Sequence, residues 1–167
     1  MICEIKHINF CPVKSLSFQS TTSCSIKKNI GMSNDRIFAF SRGIDIETAK
    51  LIEKKPKERK LNNFLTLKNS PMLNKYNFIY NDNKLTLIHH NEEIISISPD
   101  NTEELALLAN KLTELESSLL KPILLLKNND FPFYDTSSSK NAINSMSLIN
   151  LNTVKDFEKK TNYKIEF

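Results

Sequence analysis

The stretch NFIYNDNKLTLIHHNEEIISI, residues 77–97, decides the fold class. Three short runs rich in β-formers, Asn77–Tyr80, Leu85–Ile88 and Ile94–Ile97, are separated by polar residues at hairpin spacing. Asp82-Asn83 stands between the first two, and both residue types tolerate the left-handed backbone of a tight hairpin tip. The spacing therefore predicts antiparallel strands. Beyond this stretch the period changes. Leu105, Leu108, Leu112, Leu115 and Leu119 recur at intervals of three and four, which predicts a helix over 102–120. Asn101 or Thr102 can cap it, the acidic first turn suits the helix dipole, and Pro122 stops it. Strands followed by a well-formed helix make this an α+β chain, β-rich and barrel-like in its first part, with few helices.

Working outward, Ile123–Leu126 reads as a fully buried strand and 127–145 as a loop containing Ser137, Ser138 and Ser139. A last helix is expected over 150–161, with Leu151, Val154 and Phe157 on its inner face. Tyr163–Phe167 looks like the opening of a further strand. Upstream, residues 2–10 read as a strand ended by Pro12. Residues 17–28 alternate loosely, Ile37–Phe40 read as a buried strand, and Phe64–Lys68 as another. The polar stretch 45–63 should hold a short helix and an exposed loop, because Pro56 breaks any longer helix.

At 167 residues the chain has room for one domain and the start of a second. Forty per cent of residues are apolar, which is enough for a core. The net charge of +4 comes from basic residues scattered among nineteen acidic ones, so it could attract an anionic ligand but does not describe a nucleic-acid binder. Cys3, Cys11 and Cys24 are odd in number and irregular in spacing, which argues against a disulfide framework and fits a reducing cytoplasm. No basic, then apolar, leader opens the chain, and no apolar run approaches ~18 residues, so neither a signal peptide nor a membrane helix is expected.

Two segments offer chemistry. Phe10-Cys11-Pro12-Val13-Lys14-Ser15 and Gly31-Met32-Ser33-Asn34-Asp35-Arg36 each present a cation on a stiff turn. Lys14 brings three donors on a point charge and Ser15 a hydroxyl. Arg36 brings a planar fork suited to phosphate or carboxylate. If the flanking strands are neighbours, Lys14, Ser15 and Arg36 converge on an anionic small molecule, with Asp35 orienting its turn. The plain alternative is a solvated lysine and an arginine paired within its own turn. Other features are ordinary. His89 and His90, adjacent on a strand, should point to opposite faces and so cannot share one metal. His7 is a lone strand histidine. The Lys54–Lys60 run is a solvated basic loop, and zinc is not expected without Cys-x-x-Cys spacing.

These motifs resemble those of the MOSC family. Phe-x-Pro-Val-Lys-Ser followed about twenty residues later by Gly-Met-x-x-Asp-Arg is similar to the opening of the MOSC N-terminal β-barrel domain. Phe64–Leu73 is similar to a later segment of that domain. Phe133-Tyr134-Asp135 and Ser147–Leu151 resemble the entry to the MOSC domain proper. The resemblance covers residues 2–73 and 131–161. It implies an N-terminal domain over 1–122 and an incomplete MOSC domain over 123–167, whose strand at 123–126 and helix at 150–161 would lack their partners. It also implies binding of the molybdenum cofactor, with Lys14, Ser15 and Arg36 on the pterin and its phosphate. An amidoxime-reducing or sulfur-carrying activity would follow, with an iron–sulfur, cytochrome or flavin protein as electron-transfer partner. Pyridoxal phosphate is also associated with the family. The family's metal-ligand cysteine lies further downstream, so the chain is expected to be truncated or to come from a split reading frame. Cys11 stands where the family prefers Tyr. A non-catalytic module holding another phosphorylated ligand or a partner protein is the other reading.

Overall fold

A computed structural model describes residues 4–28, 30–134 and 149–165. Cys3, Asp135 and Ser147-Leu148 lie outside them, as do the serines at 137–139. The chain is α+β, as its patterning predicts. Among the described residues the strands form four small antiparallel sheets and no closed barrel.

The hairpin stretch folds as read. Strands Tyr76–Asn81, Lys84–His89 and Glu92–Ile97 pair in sequence order. We number them β6, β7 and β8, after β1 (Ile8–Phe10), β2 (Gln19–Thr21), β3 (Ile26–Lys27), β4 (Gly31–Met32) and β5 (Phe38–Phe40). Asp82 and Asn83 both take positive φ, 50° and 56°, as a two-residue hairpin turn requires. His90 and Asn91 do the same at the next corner, with φ 51° and 64°. Helix α1 spans Ile46–Lys54, capped by Asp45, whose carboxylate accepts from the Thr48 amide at 2.8 Å. Helix α2 spans Thr102–Leu115, capped by Asn101. It lays Leu108, Ala109 and Leu112 into one core with Phe78, Leu85, Leu87 and Ile97 of the three-stranded sheet.

The 64–68 segment differs from the strand expected there. Ser41 bridges Phe64, but Thr66 then starts a turn closed by the Asn69 side chain, which accepts from the Thr66 amide at 3.0 Å. A short polar side chain has satisfied the backbone locally in place of a neighbouring strand.

Residues 123–134 also differ from expectation. The strand expected at 123–126 was to lack a partner in this chain, and it has one. Strand β9 (Leu125–Lys127) pairs antiparallel with β5, Phe38 facing Lys127 and Phe40 facing Leu125. Ile123 and Leu125 join the main core, and Leu126 and Phe133 join a second cluster with Ala49, Ile52 and Phe64. The strand at 123–126 thus has a partner, because β5 is apolar on both faces and needs two neighbours. Helix α3 (Leu151–Thr161) forms as read, but none of its residues is buried.

The edge of β6 is closed by side chains. Ser17 Oγ accepts from the Phe78 amide at 2.7 Å, and Gln19 Oε1 accepts from the Tyr80 amide at 2.8 Å. Gln19 Nε2 in turn donates to the Tyr80 carbonyl at 3.2 Å.

A chain shortened after residue 122 loses β9 and Phe133, and its urea unfolding is expected to be non-cooperative. A chain shortened after residue 134 should unfold cooperatively. Equal cooperativity in the two would support a boundary at residue 122.

Candidate anion-binding site

The two motif turns are bonded to each other through the backbone. The Arg36 amide donates to the Cys11 carbonyl at 2.6 Å and the Phe38 amide to the Pro12 carbonyl at 3.0 Å. The Lys14 amide donates back to the Phe38 carbonyl at 2.8 Å. Asp35, only 8% exposed, fastens the corner: Oδ1 accepts from the Cys11 amide at 2.9 Å and Oδ2 from Arg36 Nη1. The sequence assigned Asp35 to orienting this turn, and these are the bonds by which it does so.

The three expected site residues are brought to one region but not to one open surface. Lys14 is 3% exposed, and its Nζ donates to the Phe133 carbonyl at 3.1 Å. The ammonium lies 5.7 Å from the Phe64 ring centre. Arg36 keeps its side chain 34% exposed, with its guanidinium 5.5 Å from the Tyr134 ring. Ser15 is half-buried between Lys14 and Leu16, and no hydrogen bond among the described residues ties its hydroxyl to Arg36. Ser15, Asn34 and Arg36 all hold left-handed backbone, with φ of 58°, 67° and 54°. For Ser and Arg that region is uncommon and costs about 1 kcal/mol or more.

Arg59 is the cation that sequence reading passed over. It sits in the basic run expected to be solvated, yet it is half-buried and its guanidinium lies 4.1 Å from the Phe133 ring. Its nitrogens donate to the carbonyls of Ile52, Glu53 and Pro132 at 2.8, 3.0 and 2.8 Å. Two of these are carbonyls at the end of α1, so Arg59 caps that helix while gripping the 132–134 segment. Burial lowers its pKa to about 10, against the pull of Glu53, which still leaves it charged at neutral pH. The signal in the sequence was Pro56, which turns the chain back under the helix end.

Lys14, Arg36 and Arg59 thus all approach Pro132–Tyr134, and the Asp35 carboxylate offsets part of their charge. Tyr134 has its phenol pKa pushed up to about 12, by burial first and by Asp35 second. It remains a neutral donor at any physiological pH. Cys11 is no nucleophile here. Its thiol is buried and donates to the Val13 carbonyl, and burial pushes its pKa up. Cys24 is exposed.

The histidines behave differently from the expected strand pair. His90 falls in the left-handed corner, outside the β7 ladder, so it does not point opposite His89; the two ring centres lie 4.0 Å apart. The His89 ring also lies 4.7 Å from that of Tyr76, and its Nε2 is shielded with no hydrogen-bond partner among the described residues. Among those residues no three His, Cys, Asp or Glu side chains are placed to hold a metal ion. No helix of the described chain is long and apolar enough to cross a membrane. No protein-family model, curated protein or solved structure matches the chain.

Burial, then His90 and Lys75, hold the His89 pKa below its usual value, with Glu116 opposing. Glu92 lies opposite His89 in register. The unfolded chain therefore takes up this proton first as pH falls. Stability is expected to be intact above about pH 6.5 and to decline as pH drops through that value. The urea midpoint should fall between about pH 7.5 and about pH 5.5, and His89→Phe should flatten the fall. An unchanged pH slope in that variant would assign the decline to another group.

Proposed function

We propose that this chain binds the molybdenum cofactor, as a protein of the MOSC kind. In this reading the Cys11–Leu16 and Asn34–Arg36 turns hold the phosphate end of the pterin. The observation that supports it most is the bonded pair of turns, about twenty residues apart in sequence, which leaves a partly exposed arginine at their junction.

The donors fit the phosphate end of such a cofactor. Arg36 gives one nitrogen to Asp35, and a guanidinium carries further N–H groups in a planar fork suited to phosphate oxygens. The Tyr134 ring and Asp35 fix the fork's orientation, so little side-chain freedom is lost when an anion binds. Ser15 offers a hydroxyl from the adjoining turn. Lys14, capped by the Phe133 carbonyl, adds its charge from behind the turn. The left-handed backbone of Ser15 and Arg36 supports the reading too, since strain of this kind persists where the side chain's direction matters. When bound, the cofactor would supply oxygen- or sulfur-transfer chemistry at its molybdenum. The chain's own residues bind and orient. An intact oxidoreductase of this kind would draw electrons from an iron–sulfur, cytochrome or flavin protein.

The second reading is a non-catalytic module for another phosphorylated ligand or a partner protein. It draws on the same donors, because a guanidinium, an ammonium and a hydroxyl recognise the anion and not the ring attached to it.

Titration with molybdopterin, pyridoxal phosphate and inorganic phosphate separates the two. Molybdopterin is expected to bind most tightly, and Arg36→Ala to weaken it by roughly 10- to 100-fold, the loss of a charge-assisted contact. Lys14→Met should weaken it less. Ser15→Gly relieves the left-handed strain, so urea stability should hold while affinity drops. Equal affinity for all three ligands would favour the non-catalytic module. No binding of any by the folded wild type would remove the anion site itself.

A further inference from the structure

We infer that a second cleft, separate from the Arg36 junction, binds a neutral polyhydroxylated ligand of mono- to disaccharide size. It lies between β2, the 23–25 and 33–34 segments, and the Asp82-Asn83 hairpin tip. Its volume is about 690 Å³, within the ~300–1,000 Å³ span of small-molecule sites. Lys14, Ser15 and Arg36 do not line it, so the two sites share the 33–36 turn but none of those side chains.

The lining chemistry selects the ligand class. Hydroxyls and carboxamides dominate, among them Ser20, Ser25, Ser33, Asn34 and Asn83. Among the described residues no lysine or arginine lines the cleft, so the described lining favours a neutral ligand over an anion. Asp82 is the one ionic group among the described lining residues, and a carboxylate can accept from two neighbouring hydroxyls at once. Side chains that are donor and acceptor together match a ligand whose every hydroxyl is both. Phe10 and Tyr80 add apolar atoms to this mostly polar lining.

The walls are built before any ligand arrives. Ser25 and Ser33 hydroxyls bond each other at 2.7 Å, and Ser20 donates to Asn9 at 2.7 Å. Gln19 Nε2 donates to Asn81 at 2.6 Å across the gap between hairpins. The Tyr80 hydroxyl donates to Asn83 at 2.9 Å, and Asn83 donates to Asp100. Each hydroxyl so engaged keeps capacity for a further bond. Ordering these side chains costs little at binding because the fold has already ordered them.

Cys24 lines this cleft and is exposed, whereas Cys11 is buried. In the full chain carrying Cys3→Ser, the alkylation rate of Cys24 by iodoacetamide therefore reports occupancy. Glucose, maltose and N-acetylglucosamine are the probes, with inorganic phosphate as the anionic control, and saturation-transfer NMR reads binding independently. At least one sugar is expected to slow alkylation on the order of tenfold and phosphate to leave it unchanged. Ser33→Ala and Asn83→Gly should each weaken that sugar roughly fivefold, the loss of one neutral hydrogen bond. Asn83→Gly suits the left-handed corner, so its fold is retained. The inference fails if no sugar slows alkylation or gives a transfer signal. It fails equally if phosphate protects as well as sugar does, or if both variants bind as wild type.

Discussion

Strand β5 is the constraint on which the rest depends. Phe38, Ala39 and Phe40 are all buried, so every backbone donor and acceptor there must find a partner inside the protein. On one edge the Pro12–Lys14 turn supplies two of those bonds and the Leu65 amide a third. On the other edge β9 completes the ladder. The requirement draws together four segments remote in sequence. It also sets the Lys14 and Arg36 turns side by side, since both adjoin Phe38. Asp35 is buried at that junction because two donors, one backbone and one guanidinium, compensate its charge.

The charge around Pro132–Tyr134 follows from the same packing. Phe133 is fully buried against Phe64, ring centres 5.6 Å apart, and its own carbonyl and that of Pro132 come inside with it. Lys14 and Arg59 satisfy those carbonyls and lie beside aromatic faces, which compensates part of the cost of leaving water. These two cations are therefore structural first. Arg36 differs in keeping a third of its side chain in solvent. What separates Arg36 from the two structural cations is depth.

Local pattern carried the legible part of this fold. The β6–β8 hairpins, the Asp82-Asn83 tip and α2 rest on periodicity and turn chemistry within some forty residues, and all three were readable. The pairing of β9 with β5 spans more than eighty residues, and an apolar run does not name its partner. The family resemblance left the strand at 123–126 without a partner, and the packing supplies one in β5. At the site, the residue types and the junction of the two turns were legible. The depth of Lys14 was not, because it is fixed by Phe133 far along the chain. Arg59 was hidden by its neighbours: in a run of six charged residues around one proline, only the turn geometry distinguishes the one that folds inward. His90 escaped because a strand rule was applied to a corner.

The side-chain clamp on β6 bears on how the chain behaves in a crowd. A sheet edge with unpaired amides and carbonyls is a template on which another strand can dock, and edge-to-edge docking is a common start of aggregation. Ser17 and Gln19 occupy the Phe78 and Tyr80 positions of that template with groups belonging to the same molecule. An incoming strand would have to displace bonds already made at close range, and it would meet no continuous ladder to follow. Two polar side chains thereby do the work of a protective strand, at far less cost in sequence than a further β-segment.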